Sequence, residues 1–400
     1  MLKRFNINKL IGGKSNLNDS TAKPKVLVLS KYYHPYNGGI EGAAKILCEG
    51  LLNDNNVTVI CFDDKSSSIN EIVNGVCVNR FRAIFKIKSQ PISISYLFAA
   101  IFSKCDIIHF HAPNVIASLA IAIRPKKKII VFHHMDIYGR PKLRKIALAL
   151  YDAVLRRANL LVVTSLKNAE ISNDLRIEVP TRAVPLGIDP VDYVADKTLK
   201  EEAQAWREKL SANFPLVGFV GRHARYKGLD VLLDAMKLLP DVHLAIAGDG
   251  ELQVDLRKQA NDLEIADRVH FLGAVSHRDK LKLLSMIDVF AFPSTEITEA
   301  FGISQLEAMI MEVPVVASDL PTGVSDVSRN EDTALTVPPR NSDALASALK
   351  RVICDSDLRQ KLVISAQDRV LEKFTTKAMT SRFNRLNRDV LDPHSEISQI

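Results

Sequence analysis

Short runs of apolar, mostly β-branched residues alternate with longer stretches of helical periodicity along the chain. Runs that are apolar at nearly every position are typical of strands buried on both faces of a parallel sheet. In the first half they cover residues 25–30, 57–62, 76–81, 106–111, 128–134, 160–165 and 181–188. After a polar, largely helical connector they return at 216–221, 242–248, 269–273, 289–294, 313–318 and 333–339. The pattern predicts two doubly wound α/β domains.

The length of the chain agrees with two domains. A single hydrophobic core stops growing at roughly 250–300 residues, and this chain has 400. We expect a basic N-terminal tail over residues 1–24, an N-terminal domain over 25–190 and a second domain over 191–378. A C-terminal helix over 379–400 has no following strand. Two such domains would bind a ligand in a central cleft, at the carboxyl ends of their strands.

The charge is distributed unevenly between the two halves. The net charge is +7, but residues 1–190 hold 27 Lys and Arg against 14 Asp and Glu. Cations alternate with apolar residues at 80–90, 124–128 and 139–145. A solvated face explains this pattern as well as an anionic membrane surface does, where each nearby Lys or Arg contributes on the order of 1 kcal/mol. The chain lacks zinc-finger spacing, an RNP-like motif and a basic region joined to heptads, so nucleic acid is not expected as a partner.

The remaining composition favours a cytoplasmic protein. No apolar run reaches the ~20 residues that a membrane helix needs, and the basic N-terminus lacks the apolar stretch of a secretory signal. The cysteines are scattered and never in C-x-x-C spacing, which argues against both a disulfide framework and a zinc site. Any membrane contact is therefore expected to be peripheral, on the inner face of the cell membrane.

Two glycines follow the first apolar run. Gly38 and Gly39 precede an amphipathic helix, and adjacent glycines allow a ligand to approach the backbone closely. The stretch "NGGIEG" misses the dinucleotide fingerprint G-x-G-x-x-G by Asn37, and Asp63 and Asp64 after the next run lie in a polar loop. A dinucleotide-dependent oxidoreductase is therefore an alternative with weak support. A simple turn before a helix explains the glycines equally well.

The loop after the first strand of the second domain is rich in cations. In "GFVGRHARYKG", Arg222 and Lys227 lie between two glycines. Two cations on one such loop suit a diphosphate, because a charge-assisted hydrogen bond contributes roughly 1.5–3 kcal/mol. A solvated pair of loop charges is the simpler alternative. Gly248, in the turn "GDG" after the next strand, is a further candidate for ligand contact.

The segment "EAFGISQLEAM" lies where a strand run gives way to a helix. Glu299 and Glu307 are eight positions apart, and the free amides of Phe301, Gly302 and Ile303 are expected at the helix start. A helix N-terminus carries roughly +0.5 charge and binds anions, whereas carboxylates accept hydrogen bonds from hydroxyl groups. An anion with several hydroxyls describes a sugar phosphate. For Glu299 taken alone, helix capping is the simpler explanation.

Together these segments resemble the retaining glycosyltransferases of the family 4 type, which have two facing Rossmann-like domains (the GT-B fold) and a Glu-x7-Glu motif. The resemblance runs from about residue 25 to about residue 385. It is carried by "PYNGGIEGAA", "HHMDI", "VPLGID", "GRHARYKG", "IAGDGEL", "FLGAVS", "DVFAFPSTEITEAFGISQLEAM" and "PVVASDLPTGVSDV". Each segment is weak alone, and eight in this order form a strong signal. The resemblance implies a C-terminal helix that returns to the N-terminal domain.

The resemblance also implies roles for single residues of the second domain. Arg222 and Lys227 would bind the diphosphate of a nucleotide-sugar donor, Glu307 the ribose hydroxyls and Glu299 the hydroxyls of the transferred sugar. The amides around Phe301, Gly302 and Ile303 would contact that sugar and the leaving phosphate. Val275 and Lys280 match positions that flank the nucleobase in some members.

From the first domain, Gly39, with Gly38 beside it, would close over the donor. His134 in "HHMDI" matches a histidine that reaches the sugar, with His133 as the alternative register. The segment is similar to the "HSDI" of bacterial mannosyltransferases that build O-antigen or exopolysaccharide, although Met135 replaces the serine. This favours GDP-mannose as donor and leaves UDP-sugars open.

The implied reaction is transfer of a hexose to a saccharide or lipid-linked saccharide acceptor with retention of configuration. The chemistry requires neither metal nor cofactor, because cations and helix amides already face the charge that grows on the leaving diphosphate. Same-face attack and double displacement both remain open. A nucleotide-sugar 2-epimerase of the same fold would also fit these motifs, and so would a protein that only binds its ligand.

Overall fold

The structure is a computed structural model that describes residues 23–36, 38–64, 68–87, 90–392 and 394–395. Most of the predicted basic tail, and Asn37 of the glycine segment, therefore lie outside the described residues.

Contacts between residues divide the chain into two compact units. Of the described residues, the first unit takes in those up to Val162, Asp174–Arg182 and those from Phe383 onward. The second takes in Val163–Asn173 and Ala183–Arg382. Apart from the short segment 163–173, the chain passes from the first unit to the second after Arg182 and returns to the first at Phe383.

The short segment Val163–Asn173 joins the second unit, which no sequence pattern predicts. Its Asn168 side chain donates to the Ala300 carbonyl over 2.9 Å and accepts from the Gly323 amide over 3.1 Å. Both partners belong to the second unit, so these hydrogen bonds fix the segment there.

The first unit is built on an eight-stranded sheet with the order β10-β9-β8-β7-β1-β2-β4-β3. Strands β1, β2, β4, β7 and β8 pair in parallel, whereas β3 pairs with β4 in antiparallel fashion at the edge. The strands of this unit, with the separate hairpin β5-β6, are β1 (Lys25–Leu29), β2 (Asn56–Asp63), β3 (Ile69–Val73), β4 (Val76–Arg82), β5 (Phe85–Ile87), β6 (Gln90–Ile92), β7 (Ile107–Ala112), β8 (Lys128–His133), β9 (Leu160–Val163) and β10 (Thr181–Ala183). The apolar runs predict the central strands, while β3, whose residues are exposed or half-buried, carries no such signal.

Four helices precede or connect these strands: α1 (Gly39–Leu51), α2 (Ile94–Phe102), α3 (Val115–Ile123) and α4 (Pro141–Leu155). Helix α3 packs between α2 and α4. Ser93 and Asn114 cap α2 and α3 by accepting hydrogen bonds from backbone amides of their first turns.

The second unit has a six-stranded, all-parallel sheet with the order β13-β12-β11-β14-β15-β16. Its strands are β11 (Leu216–Val220), β12 (His243–Ala247), β13 (Val269–Gly273), β14 (Val289–Phe292), β15 (Val315–Ser318) and β16 (Leu335–Val337). Alternate residues of each strand enter cores on opposite faces of the sheet, as Ala245 and Ile246 of β12 do. The predicted doubly wound architecture is confirmed in both units.

The helices of the second unit are α5 (Leu166–Ile171), α6 (Lys197–Leu210), α7 (Leu229–Lys237), α8 (Gln253–Asp262), α9 (His277–Met286), α10 (Ile303–Ile310), α11 (Val324–Val327), α12 (Ser342–Cys354) and α13 (Ser356–Lys373). The last helix, α14 (Thr376–Leu391), begins in the second unit and ends in the first. Within the first unit, Phe383 packs against His109 and Phe132, with ring centroids 5.0 and 4.8 Å apart.

The strand order places a topological switch point in each sheet. In the second unit β11 pairs with β12 on one side and β14 on the other, so the connections after β11 and β14 leave in opposite directions. Ligands of doubly wound domains bind in the crevice that such a divergence creates. The sequence candidates after β11 and β14 therefore occupy the expected place in this unit.

Across the described part of the chain, no helix combines the length and the apolar character needed to cross a bilayer.

Candidate active site

The loops after β11 and β14 touch because Gly228 lies between them. Gly228 has φ +65°, and a Cβ at this position would collide with the Pro293 carbonyl. A glycine here lets the 221–228 loop pack against the 293–302 loop. The preceding residue, Lys227, is carried to the carboxyl end of β14, where its ammonium lies 5.4 Å from the centroid of the Phe292 ring.

Glu299 is held by two donors on one oxygen. Its Oε2 lies 2.5 Å from Lys227 Nζ and accepts a hydrogen bond from Ser294 Oγ over 2.9 Å. Among the described residues no donor contacts Oε1. The carboxylate is nearly buried, with 8 % of the side chain exposed. We call Glu299, Lys227 and Ser294 the 299 clamp.

Glu307 is held in the same way by other residues. Its Oε1 lies 2.6 Å from Lys280 Nζ and accepts a hydrogen bond from the Tyr193 hydroxyl over 2.7 Å. Within the described ranges no donor contacts Oε2. Burial, and then the neighbouring Glu307, raise the pKa of Tyr193, so its hydroxyl stays protonated as a donor. We call Glu307, Lys280 and Tyr193 the 307 clamp.

The start of helix α10 lies between the two clamped carboxylates in sequence. Gly302 precedes the helix with φ +78°, and a Cβ there would collide with the Phe292 ring. No side chain caps the helix, so its first amides are open to an anion and carry the positive end of the helix dipole. Phe301 is 2 % exposed and its ring packs edge-on to Phe374 at 5.8 Å. Only the backbone of Phe301 is therefore left to serve a ligand.

Arg222 adds an unpaired cation to the same loop as Lys227. It is exposed, and its guanidinium lies 6.0 Å from the centroid of the Tyr226 ring. No carboxylate of the described residues lies within ion-pair distance of it. The loop thus presents Lys227, already paired with a carboxylate, and Arg222, which is free for an external anion.

Three other candidates of this unit already make structural contacts within it. Gly248 has φ +129°, and a Cβ there would collide with the Gly221 carbonyl, so close packing of two post-strand loops already requires glycine. Val275, between β13 and α9, packs in part against the core. Lys280, which the resemblance places beside the nucleobase, makes its ion pair with Glu307.

The remaining candidates lie in the first unit. His133 ends β8 and is buried, with its ring nitrogens bonded to Tyr151 over 2.9 Å and to Asp136 over 3.2 Å. His134 follows it, half-buried, and shares a 2.9 Å hydrogen bond with His111. Burial, and then His133, lower the pKa of His134 to about 3, so its imidazole is neutral near pH 7. Of the two histidines that could match the family position, His134 is more accessible than His133.

Gly38 and Gly39 are exposed at the start of α1. Gly38 is extended, with φ −169°, which any residue can adopt. No atom of the described residues lies within 4 Å of a Cβ built on Gly39. Packing within the first unit therefore gives no reason for glycine at position 39.

Sequence reasoning missed Tyr193 and Ser294. Both are donors whose partners depend on the tertiary fold, and neither lies in a motif that marks it. Ser294 is the last residue of the apolar run 289–294, which was the one available signal. Among the described residues, no group of three or more His, Cys, Asp or Glu could hold a metal ion.

Comparison with known proteins covers both units. Residues 37–192 match the family model "Glycosyltransferase Family 4", and residues 200–369 match "Glycosyl transferases group 1". The D-rhamnosyltransferase WbpZ of Pseudomonas aeruginosa is 31 % identical over 345 residues, which cover 84 % of this chain and 88 % of that protein. The O-antigen chain mannosyltransferase C of Escherichia coli is 28 % identical over 381 residues, covering 93 % and 100 %.

Solved structures agree on the fold. Sucrose-phosphate synthase from Thermosynechococcus elongatus superposes with a TM-score of 0.75 at 22 % identity, covering 92 % of this chain and 99 % of that one. Anabaena HepE in complex with UDP and glucose gives a TM-score of 0.72 at 22 % identity, covering 91 % and 99 %. The predicted GT-B fold is confirmed.

Proposed function

Since the chain belongs to the family 4 glycosyltransferases, we propose that it transfers mannose from GDP-mannose, with retention of configuration, to a lipid-linked oligosaccharide of a bacterial surface polysaccharide. The observation that carries this proposal is the pair of clamps. Each leaves one carboxylate oxygen open, and the open amides of α10 start between them in sequence. Membership of this family argues against an oxidoreductase and against a protein that only binds its ligand.

The donor fits the second unit in a definite order. Hydroxyls of the transferred sugar donate to Glu299, the ribose hydroxyls donate to Glu307, and the diphosphate lies over the first amides of α10. Arg222, exposed and unpaired among the described residues, supplies a cation to the diphosphate. Lys227, already on Glu299, lies where it can bridge that carboxylate and a phosphate oxygen.

The reaction follows from where charge develops. As the bond between the sugar C1 and the diphosphate oxygen lengthens, negative charge grows on the leaving group and positive charge on the sugar ring. Preorganised cations and amides stabilise the first, and a removed donor of this kind costs about 10²–10³-fold in rate. In same-face attack the acceptor hydroxyl bonds to C1 and its proton passes to the departing phosphate. Double displacement through an enzyme carboxylate is the alternative route.

Mannose is supported by the mannosyltransferase that matches 93 % of this chain, and by the likeness of "HHMDI" to the corresponding mannosyltransferase segment. The rhamnosyltransferase at 31 % identity favours a second candidate, D-rhamnose. The two sugars differ only at C6, where rhamnose lacks the hydroxyl. UDP-sugars and a 2-epimerase reaction are also compatible with the fold.

A panel of donors tests the proposal. GDP-mannose, GDP-D-rhamnose, UDP-glucose and dTDP-glucose are scored for thermal stabilisation, slow hydrolysis and transfer to extracted lipid-linked saccharide, with and without EDTA. A donor at 100 times its dissociation constant should add about 2.7 kcal/mol of stability. We expect GDP-mannose to stabilise the protein and to be hydrolysed slowly, and EDTA to change neither result. Epimerised product without acceptor would favour the epimerase instead.

A lipid-linked acceptor requires contact with a membrane, and we propose that the first unit makes it through helices α2 and α4. Ile94, Phe98 and Phe102 form a stripe along α2, each more than half exposed, and Leu143 and Ile146 are exposed on α4. Residues 91–150 contain nine Lys and Arg against two Asp and Glu. Exposed apolar groups with surrounding cations match an anionic bilayer surface.

Vesicle flotation tests this surface. The protein should float with vesicles that contain phosphatidylglycerol at low salt and detach at high salt. Changing both Phe98 and Phe102 to Ser should abolish binding, whereas Leu371→Ser, which alters an exposed apolar residue of the second unit, should not. Equal binding by all three proteins would contradict the proposal.

A further inference from the structure

Tyr193 is the one residue of the two clamps that comes from outside both the post-strand loops and the helices of the sheet layers. It ends the single-turn 3-10 helix Pro190–Tyr193. It lies 114 residues from its partner Glu307 in sequence. No motif of the family 4 resemblance points to it.

The Tyr193 ring is fixed before any ligand arrives. It packs in part against the core of the second unit. The Lys280 ammonium lies 5.6 Å from its centroid, and the His277 ring meets it edge-on at 5.7 Å. The hydroxyl is therefore aimed at Glu307 by contacts that do not involve the carboxylate.

A carboxylate held by lysine alone is poorly oriented. The terminal torsion of glutamate is broad, and a lysine ammonium is a point charge without the planar fork of arginine. Two donors on the same oxygen remove this freedom. Oε1 then has both of its acceptor positions filled, by Lys280 and Tyr193, and Oε2 has both of its positions open to a ligand.

We propose that Tyr193 is a positioning residue that makes Glu307 selective for a nucleotide with ribose hydroxyls. The hydroxyl of Tyr193 orients the carboxylate so that Oε2 accepts from the 2′- and 3′-hydroxyls of the donor. This inference rests on the proposed function, because it assumes that Glu307 binds the ribose.

The test compares two ligands that differ only in the ribose hydroxyls. Dissociation constants for GDP and 2′,3′-dideoxy-GDP are measured by calorimetry on the full chain. The proteins are the wild type, Tyr193→Phe and Ser294→Ala, the last removing the matching hydroxyl of the 299 clamp. Tyr193→Phe keeps the packed ring and removes only the donor. The same measurements are made with UDP and 2′,3′-dideoxy-UDP.

The wild type should prefer the ribose form by about tenfold or more, the size expected of hydrogen bonds to a charged group. In Tyr193→Phe this preference should fall several-fold, with the affinity for the dideoxy ligand unchanged. In Ser294→Ala the preference should equal that of the wild type. Turnover of Tyr193→Phe should show a raised donor KM with kcat preserved.

Three results would overturn the inference or its premise, and they differ from one another. An unchanged preference in Tyr193→Phe, or an equal loss of affinity for both ligands, contradicts a positioning role. A wild type that binds nucleotide without preferring the ribose form contradicts the role of Glu307. A wild type that binds neither GDP nor UDP contradicts the proposed function itself.

Discussion

The two clamps of the second unit have the same composition and different supports. In each, a lysine and a hydroxyl donate to one oxygen of a nearly buried glutamate. The 299 clamp is built on the loops after β11 and β14. In the 307 clamp the glutamate and the lysine lie on helices, α10 and α9. Sites on helices are held more firmly than sites on loops.

This difference suggests that the two clamps serve different parts of the donor. A glutamate on a helix suits the part of the donor that does not change during the reaction, the ribose. A glutamate between loops, beside Lys227 and the α10 amides, suits the end where the bond breaks. Interactions made equally in the ground and transition states lower KM, whereas those that strengthen in the transition state raise kcat. The 299 clamp is thus expected to act on kcat in addition to binding the sugar, and the 307 clamp on KM alone.

The largest effect should come from breaking the 299 clamp. Glu299→Gln and Lys227→Ala, and also Arg222→Ala on the same loop as Lys227 but outside the clamp, should each lower kcat by about 10²–10³-fold, because each removes a group aimed at developing charge. Steady-state transfer with the best donor of the panel measures this. Circular dichroism and the melting temperature show whether the fold is intact. Near-normal turnover in Glu299→Gln would remove its role at the sugar.

A smaller effect, and a different one, should follow from breaking the 307 clamp. Glu307→Gln should raise the donor KM by about tenfold, since a hydrogen bond to a charged group contributes roughly 1.5–3 kcal/mol, while kcat stays within about threefold. The same assay serves for both clamps. A fall in kcat as large as that of Glu299→Gln would show that the two clamps do not differ in their effect on kcat.

The start of α10 fixes the spacing between the clamps, and Gly302→Ala should disturb it. Alanine at φ +78° costs about 1–2 kcal/mol, and its Cβ would collide with the Phe292 ring, which adds about 1–3 kcal/mol. Urea denaturation measures the loss of stability. Gly273→Ala is the matched control, because it has φ +69° and no atom within 4 Å of the new Cβ. Equal losses of stability in Gly302→Ala and Gly273→Ala would mean that the structure relieves the collision with the Phe292 ring.

The smallest effect concerns the pH dependence of stability, which arises from histidines of the first unit, whereas both clamps lie in the second. Burial lowers the pKa of His109 to about 4 and that of His134 to about 3, below the ordinary value of 6.5. The unfolded chain then binds more protons, so stability falls as pH drops from about 6.5 toward these values. The melting temperature should fall over this range, and less steeply in His109→Gln. Identical slopes of melting temperature against pH in the wild type and His109→Gln would contradict the low pKa of His109.

Much of this site follows from sequence, because it depends on local order along the chain. Strand runs place Arg222, Lys227 and Glu299 in the loops after strands, and helical period places Glu307 in the second turn of α10. The hydroxyl donors Tyr193 and Ser294 could not be predicted, since a clamp is defined by which side chains meet across the fold. Lys280 shows the same limit: its position was identified, but its ion pair with Glu307 was not.

The most direct test asks whether the two clamps bind the two ends of one nucleotide-sugar. Dissociation constants for GDP and GDP-mannose are measured in the wild type, Glu299→Gln and Glu307→Gln. We expect Glu299→Gln to keep its affinity for GDP and to lose the additional affinity for GDP-mannose. Glu307→Gln should weaken both ligands by the same factor. Equal weakening of both ligands in Glu299→Gln, or loss of the sugar preference in Glu307→Gln, would contradict it.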